Sequence, residues 1–224
     1  MKLFIFDIDG TLIQPRGVGH RAADIAFERL HGIKNIMEGI DTCGQTDPLI
    51  LNQMYLKAFD RQHSTGESED FYSLYIDCLK SELEKEKSLE VLPGVFILLE
   101  YLSQREDVLL ALGTGNIEPG AWLKLEYAGL NDFFEFGGFG SDSEDREKLL
   151  RIGLIKGKIQ YNNNKNFDKV YVIGDTPMDI IHGKGIGAET IAVATGLYSK
   201  PELLTHNPTH LLDNLDNSYI KCLV

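Results

Sequence analysis

A short acidic motif follows a short apolar run at two distant places in this 224-residue chain, and that pairing narrows the fold more than any other feature. The first motif is Asp7-Ile8-Asp9-Gly10-Thr11-Leu12, directly after Leu3-Phe4-Ile5-Phe6. The second is Gly174-Asp175-Thr176-Pro177-Met178-Asp179, directly after Val170-Tyr171-Val172-Ile173. Four consecutive apolar residues suit a strand buried on both faces, the habit of parallel sheets covered by helices on either side. In such sheets ligands bind just beyond the carboxyl ends of the strands. Carboxylates gathered at one sheet edge cannot all stay charged without a counter-ion. Hard oxygen donors of this kind suit Mg²⁺.

The rest of the chain supports the same architecture. Residues 108–112 and 190–193 read as further buried strands, and 133–139 as holding a short one. Helical patterns lie between them at 95–104, 119–128, 147–156 and 178–184. Strands alternating with helices predict an α/β fold, a doubly wound parallel sheet of Rossmann-like kind. The stretch from 15 to 92 breaks the alternation: residues 20–30, 49–59 and 71–83 carry apolar side chains at helical spacing, with no strand between them. The expected organisation is therefore a core of residues 1–14 and 93–224 with a small α-helical domain of residues 15–92 inserted into it. Gly17 and Gly19 are candidate hinge positions, and Pro93-Gly94 closes the insertion. The mixed charge run 82–87 reads as a solvated helix face.

Composition limits the partners. The formal net charge is −12, which repels a nucleic-acid backbone. No apolar run approaches the roughly 18 residues of a membrane span. Three cysteines (Cys43, Cys78, Cys222) form no Cys-x-x-Cys pair, consistent with reduced thiols. A cytoplasmic protein, monomer or homodimer, with neither nucleic acid nor membrane as partner is expected. The acidic balance also means that a phosphorylated small metabolite needs local positive charge, from the metal and one or two basic side chains.

Asp7 and Asp9 are two apart, so in an extended segment they point to the same side. Gly10 then lets the backbone turn away. The carboxylate of Asp7 is placed to attack phosphorus, and that of Asp9 to protonate a leaving oxygen and later deprotonate water. Taken alone, the pair also suits an Asp-Gly turn with Asp9 capping a helix. Asp175 is a candidate metal ligand, and Asp179 a group that orients the site from behind it. Both also fit an N-cap and a first-turn acid. Thr114, Gly115 and Asn116, after the strand at 108–112, offer a hydroxyl, a backbone nest and an amide for phosphoryl oxygens, though taken alone a plain Gly-containing strand-to-helix turn explains them better.

Together these pieces resemble the haloacid dehalogenase-like hydrolase superfamily, and within it phosphoglycolate phosphatase-like proteins with an α-helical cap. Asp7-x-Asp9-Gly10-Thr11-Leu12 resembles the first motif of that family, Thr114 at a strand end the second, and Gly174-Asp175-x-x-x-Asp179 the fourth. The resemblance implies Asp7 as nucleophile and Mg²⁺ ligand, and Asp9 as general acid/base with its carbonyl also on the metal. It implies Asp175 completing the metal site, and Thr114 and Asn116 holding the phosphoryl group. The third motif departs from the pattern. A Lys-Pro is usual there in phosphoglycolate phosphatases, and this chain has Ser141-Asp142-Ser143-Glu144-Asp145-Arg146-Glu147-Lys148. Arg146 is the first choice for the basic residue, because a guanidinium bridges carboxylate and phosphate with its fork. Lys148 is the second.

The expected activity is Mg²⁺-dependent hydrolysis of a small phosphate monoester through an aspartyl phosphate on Asp7. An acidic Asp9 argues against dehalogenase chemistry. The absence of Lys from the loop Thr42-Cys43-Gly44-Gln45-Thr46-Asp47 argues against a phosphonate-cleaving enzyme. A phosphosugar mutase, a pyrophosphatase and a non-catalytic phospholigand-binding protein on the same fold remain as alternatives. Gln45 and Thr46 read as turn and N-cap, Cys43 as a neutral lining residue, and Arg16 as a surface residue. Trp122, Tyr127 and Phe133 read as packing. His206 and His210 are loop histidines, since Pro208 between them opposes a helical metal pair.

Overall fold

The computed structural model describes residues 1–86, 89–161, 163–216 and 220. The chain opens with strand β1 (Lys2–Phe6), continues through the short strand β2 (Ile13–Gln14), and enters three helices: α1 (Val18–His31), α2 (Asp47–Phe59) and α3 (Thr65–Glu86). It returns through β3 (Glu90–Val91) and α4 (Val95–Ser103) to β4 (Val108–Thr114), α5 (Glu118–Ala128) and β5 (Gly137–Phe139). The remainder is α6 (Arg146–Tyr161), β6 (Lys169–Gly174), α7 (Pro177–Gly185), β7 (Glu189–Val193), α8 (Lys200–Leu204) and β8 (His210–Leu212).

Six strands form one parallel sheet in the order β5-β4-β1-β6-β7-β8. The central strand β1 pairs with β4 on one side and β6 on the other. Successive connections therefore leave it in opposite directions, and the crevice at that reversal lies at the carboxyl ends of β1, β4 and β6. Side chains alternate across the sheet with period 2. Phe4, Phe6, Leu112 and Ile173 face one core cluster, while Leu3, Ile5, Ala111 and Val172 face another completed by Leu149 and Leu150 of α6. Phe4 and Phe6 are wholly buried, each contributing about 1.5–3 kcal/mol of hydrophobic free energy. The apolar run before Asp7 thus anchors that residue on the most enclosed strand of the sheet.

The helical stretch leaves and re-enters at one place. β2 and β3 pair antiparallel, Ile13 with Val91 and Gln14 with Glu90, and the Leu92 N–H donates to the Leu12 carbonyl at 3.0 Å. α1 packs against α3, and the buried stripe Ala22, Ala26, Phe27 meets Phe71, Tyr75 and Leu79. This apolar cluster is continuous with the one on the adjoining sheet face.

One sequence expectation needs correction. The charge run 82–87 is not a uniformly solvated face. Glu82 is buried and pairs with Arg21 at 2.7 Å and with Lys85. It falls on the same helical stripe as Leu79 and Leu83, a spacing that outweighs the charge pattern; Lys87 lies outside the described residues. The segment 133–139 holds its short strand as expected, at Gly137–Phe139, after a 3₁₀ turn at Asn131–Phe133. β8, with His210 at its start, was not foreseen: three residues after Pro208 carry too little periodicity to announce a strand. Trp122, Tyr127 and Phe133 pack against the main core as expected. Cys222 lies outside the described residues.

Candidate active site

β1 ends at Phe6, and the next residue, Asp7, is buried beside the end of β6: its N–H donates to the Ile173 carbonyl at 2.9 Å. Gly10, at φ +84°, then reverses the chain. A Cβ there would lie 2.5 Å from the Asp175 carboxylate, and one at Gly196 only 1.7 Å from it. Two bare backbones thus clasp Asp175, and the Thr11 hydroxyl donates to its Oδ1 at 3.0 Å.

Asp7, Asp175 and Asp179 each present an oxygen within 4.8 Å of the others, and all three are buried. Burial raises Asp175 well above the ordinary carboxylate range, and Asp179 and Asp7 raise it further. Asp7 is pushed up to about 7, chiefly by burial, with Arg146 opposing the rise and Asp179 and Asp9 adding to it.

Arg146 opens α6, is only 5% exposed, and is the cation within this group. Its guanidinium lies 3.1 Å from Asp7 and 2.5 Å from Asp179. Burial draws its pKa down, but Asp179 and Asp7 together hold it above the ordinary arginine value. Lys148 instead points to solvent and reaches only Asp145, at 3.7 Å.

Asp179 serves two ends at once. Its Oδ2 accepts from the Thr176 N–H (3.0 Å) and hydroxyl (2.7 Å), closing a capping box at the start of α7, while its Oδ1 accepts from Arg146. The N-cap of α7 is Thr176 and not Asp175, and Asp179 is the first-turn acid that also binds Arg146.

Asp9 faces a different environment. Its Oδ2 accepts from Lys124 Nζ at 2.6 Å and from Asn116 Nδ2 at 2.8 Å. Lys124 also donates to Asn116 Oδ1 at 2.7 Å, and Asn116 Nδ2 donates to the Thr114 hydroxyl at 2.8 Å. The other oxygen of Asp9, Oδ1, is buried without a hydrogen-bond partner among the described residues. Sequence reasoning placed Asp9, Thr114 and Asn116 here but missed Lys124. A signal existed: Lys124 falls on the buried stripe Ala121, Leu125, Ala128 of α5, and a charge on a buried face needs a partner.

The loop 42–47 docks on this edge. The Asp47 N–H donates to the Gly115 carbonyl at 2.8 Å, and its Oδ2 accepts from the Ile117 N–H at 2.8 Å. Thr46 stands at the N-cap of α2, but its hydroxyl donates to the Glu144 carbonyl at 3.0 Å instead of capping. Gln45 accepts from Gln53 at 2.5 Å. Between sheet edge and helices lies a cavity of about 600 Å³, lined among others by Asp7, Asp9, Gly115, Asn116, Cys43 and Arg16. Burial, and secondarily Asp41, raise the Cys43 thiol, so it is no ready nucleophile.

The haloacid dehalogenase-like hydrolase family model matches residues 1–187. The chain belongs to that family. Among curated proteins none matches it in sequence. Solved structures share the fold at low identity. A predicted phosphoglycolate phosphatase from Haemophilus somnus is 16% identical (TM-score 0.71; 100% of this chain and 98% of that one covered). CbbY from Rhodobacter sphaeroides, solved in complex with phosphate, is 16% identical (TM-score 0.71; 96% and 95%). A β-phosphoglucomutase candidate from Bacteroides vulgatus is 18% identical (TM-score 0.70; 100% and 89%). Among the described residues no helix is long and apolar enough to cross a membrane.

Proposed function

We propose that this hydrolase is a phosphatase acting on a small phosphate monoester, with Asp7 as nucleophile and Asp9 as general acid/base. The observation that carries this reading is the contrast between two carboxylates on one turn. Asp7 is held beside a guanidinium with its oxygens at the floor of the cavity. Asp9 is gripped at Oδ2 and keeps Oδ1 for a proton. In-line attack by Asp7 forms a phospho-aspartate while Asp9 delivers its proton to the leaving oxygen. Asp9 then takes a proton from the water that hydrolyses the phospho-aspartate. Thr114, Asn116 and the backbone at Gly115 hold the phosphoryl oxygens, and Lys124 positions Asp9. Catalysis of this kind is mainly positioning and charge stabilisation.

The buried carboxylates carry more negative charge than Arg146 alone neutralises, and their hard oxygens fit Mg²⁺. In this reading Asp7 and Asp175 hold the ion with the main-chain carbonyl of Asp9, and Asp179 orients the site through Arg146. The bound ion would supply charge neutralisation at the phosphoryl oxygens. Residues 15–92 act as a cap that closes over the site on the β2–β3 ribbon, excluding water while phosphorus reacts.

Hydrolysis is favoured over the mutase alternative by the charge pairing around the cavity. A mutase working through a bisphosphate needs a second cationic phosphate site. The arginines and the lysine that line the cavity already have carboxylate partners: Arg16 with Glu90, Arg21 with Glu82 and Glu86, Lys124 with Asp9, Arg146 with Asp7 and Asp179; His20, also on the lining, is engaged by the Thr42 hydroxyl at 2.8 Å. The test is phosphate release from a panel of small esters, with Mg²⁺ and with chelator, for the wild type and Asp7→Asn. Metal-dependent release that disappears in the variant supports the reading. Phosphorylated product in place of free phosphate identifies a mutase. Binding without turnover identifies a ligand sensor.

A further inference from the structure

The cavity does not end at the carboxylates. From Asp9 it runs into the helical segment along a traceable line of side chains. Lys124 Nζ, bonded to Asp9, and the Tyr75 hydroxyl both approach Gly19, within 3.9 Å and 3.4 Å of where a Cβ would stand. Tyr75 stacks on Phe71 with ring centres 5.9 Å apart and planes inclined by 11°, and Phe71 meets Tyr72 edge-on at 5.6 Å. Ile50 of α2 and Met37 stand on the same cavity wall. This wall begins beside the residue assigned to protonate the leaving oxygen, so it lies where the alcohol half of the ester must sit.

The chemistry of that wall is apolar. Its aromatic and aliphatic side chains offer contact area and few charges. Of the basic groups beyond Lys124 and Arg146 on the lining, Arg16 and Arg21 are paired with Glu90, Glu82 and Glu86, and His20 Nε2 lies 2.8 Å from the Thr42 hydroxyl. The volume, about 600 Å³, exceeds what a phosphoryl group and a two-carbon acid occupy and lies within the range of pockets that enclose ring-sized ligands. Burying a ring there gains roughly 25 cal/mol for each Å² of apolar surface removed from water, which a polyol cannot match.

We propose that the leaving group of the substrate is apolar and ring-bearing, an arylalkyl or similar alcohol, and not a short hydroxy acid or a sugar. Tyr72 and Tyr75 form the aromatic shelf on which it rests. This inference rests on the phosphatase reading for its chemistry, but the shelf can be tested apart from turnover.

The experiment has two arms. In the first, kcat/KM is measured with Mg²⁺ for three esters of primary alcohols, 2-phenylethyl phosphate, glycerol 3-phosphate and 2-phosphoglycolate, so that intrinsic reactivity is similar. The expected result is at least a tenfold preference for the phenylethyl ester; equal or greater activity on either polar ester overturns the proposal. In the second arm, calorimetry compares binding of 2-phenylethylphosphonate and methylphosphonate, which cannot be hydrolysed. The expected result is at least tenfold tighter binding of the phenylethyl compound, and equal affinity overturns the proposal. If no ester is hydrolysed while the phenylethyl phosphonate still binds tighter, the phosphatase reading fails and the apolar pocket stands.

Discussion

Asp7 and Asp9 are separated by one residue, yet they belong to two differently built halves of the site. The Asp7 half is crowded: three buried carboxylates lie together, one guanidinium serves two of them, Asp7 and Asp179, and burial drives Asp7 and Asp175 toward the protonated form. In the Asp9 half one ammonium, Lys124, faces Asp9 with an amide to fix the geometry, and Asp47 lies close enough to feel both. The crowded half is poised to accept added positive charge. The Asp9 half leaves Oδ1 of Asp9 without a hydrogen-bond partner among the described residues. Two identical side chains acquire different surroundings because β1 delivers them to neighbours contributed by different elements, β6 and α6 for one, β4 and α5 for the other.

The contrast is sharpest in turnover. Asp7→Asn is expected to lower kcat by a factor on the order of 10⁴ or more, as loss of a nucleophile does elsewhere. Its metal-free melting temperature at pH 8 should stay equal or rise, because a repelled charge is gone. A fall of several degrees would show that Asp7 is not crowded. Asp9→Asn should lower kcat by roughly 10²–10⁴, the usual range for a general acid. Near-normal rates in that variant would remove the proton-transfer role.

Arg146→Met attacks the crowded half through stability. It leaves Asp7 and Asp179 buried without their cation, and should cost about 3–5 kcal/mol in denaturant unfolding. A change below 1 kcal/mol would mean the guanidinium is not the counter-charge of the site.

The same half predicts a pH effect of known sign. Asp7 titrates near 7 in the folded chain against 3.8 when free. Between those values the folded state therefore binds more protons than the unfolded one, and metal-free stability falls as pH rises toward 7. Mg²⁺ competes with that proton, so the gain in melting temperature on adding Mg²⁺ should be larger at pH 8 than at pH 5.5. A gain independent of pH would place the ion elsewhere. The smallest effect belongs to Lys148→Met. With 71% of its side chain exposed, it should change stability by no more than about 0.5 kcal/mol and leave activity intact. Loss of activity there would reverse the choice of Arg146.

Much of the core was legible from local patterns. Unbroken apolar runs at 3–6 and 170–173 announced doubly buried strands, and the acidic residues after them announced the sheet edge. Helical stripes at 20–30, 49–59 and 71–83 announced α1, α2 and α3. Local pattern suffices there because burial imposes a period, 2 or 3.6, on the residues themselves. It misled at Glu82, where the half-exposed Arg21 and the exposed Lys85 satisfy a buried charge on an apolar stripe, and it was silent at β8, which is too short to show a period.

The sequence by itself determined that carboxylates gather at the carboxyl ends of parallel strands, since strand, turn glycine and acid are neighbours in the chain. Only the tertiary structure decided which cation serves which carboxylate. Lys124 and Asp9 are 115 residues apart, and Arg146 and Asp7 are brought to 3.1 Å by the packing of α6 beside β1. Tertiary structure also decided that the apolar wall of α2 and α3 stands next to Asp9, because that depends on how the helical segment sits on the sheet. Partners far apart in sequence leave no local trace, because Coulomb and hydrogen-bond energies depend on distance in space and not along the chain.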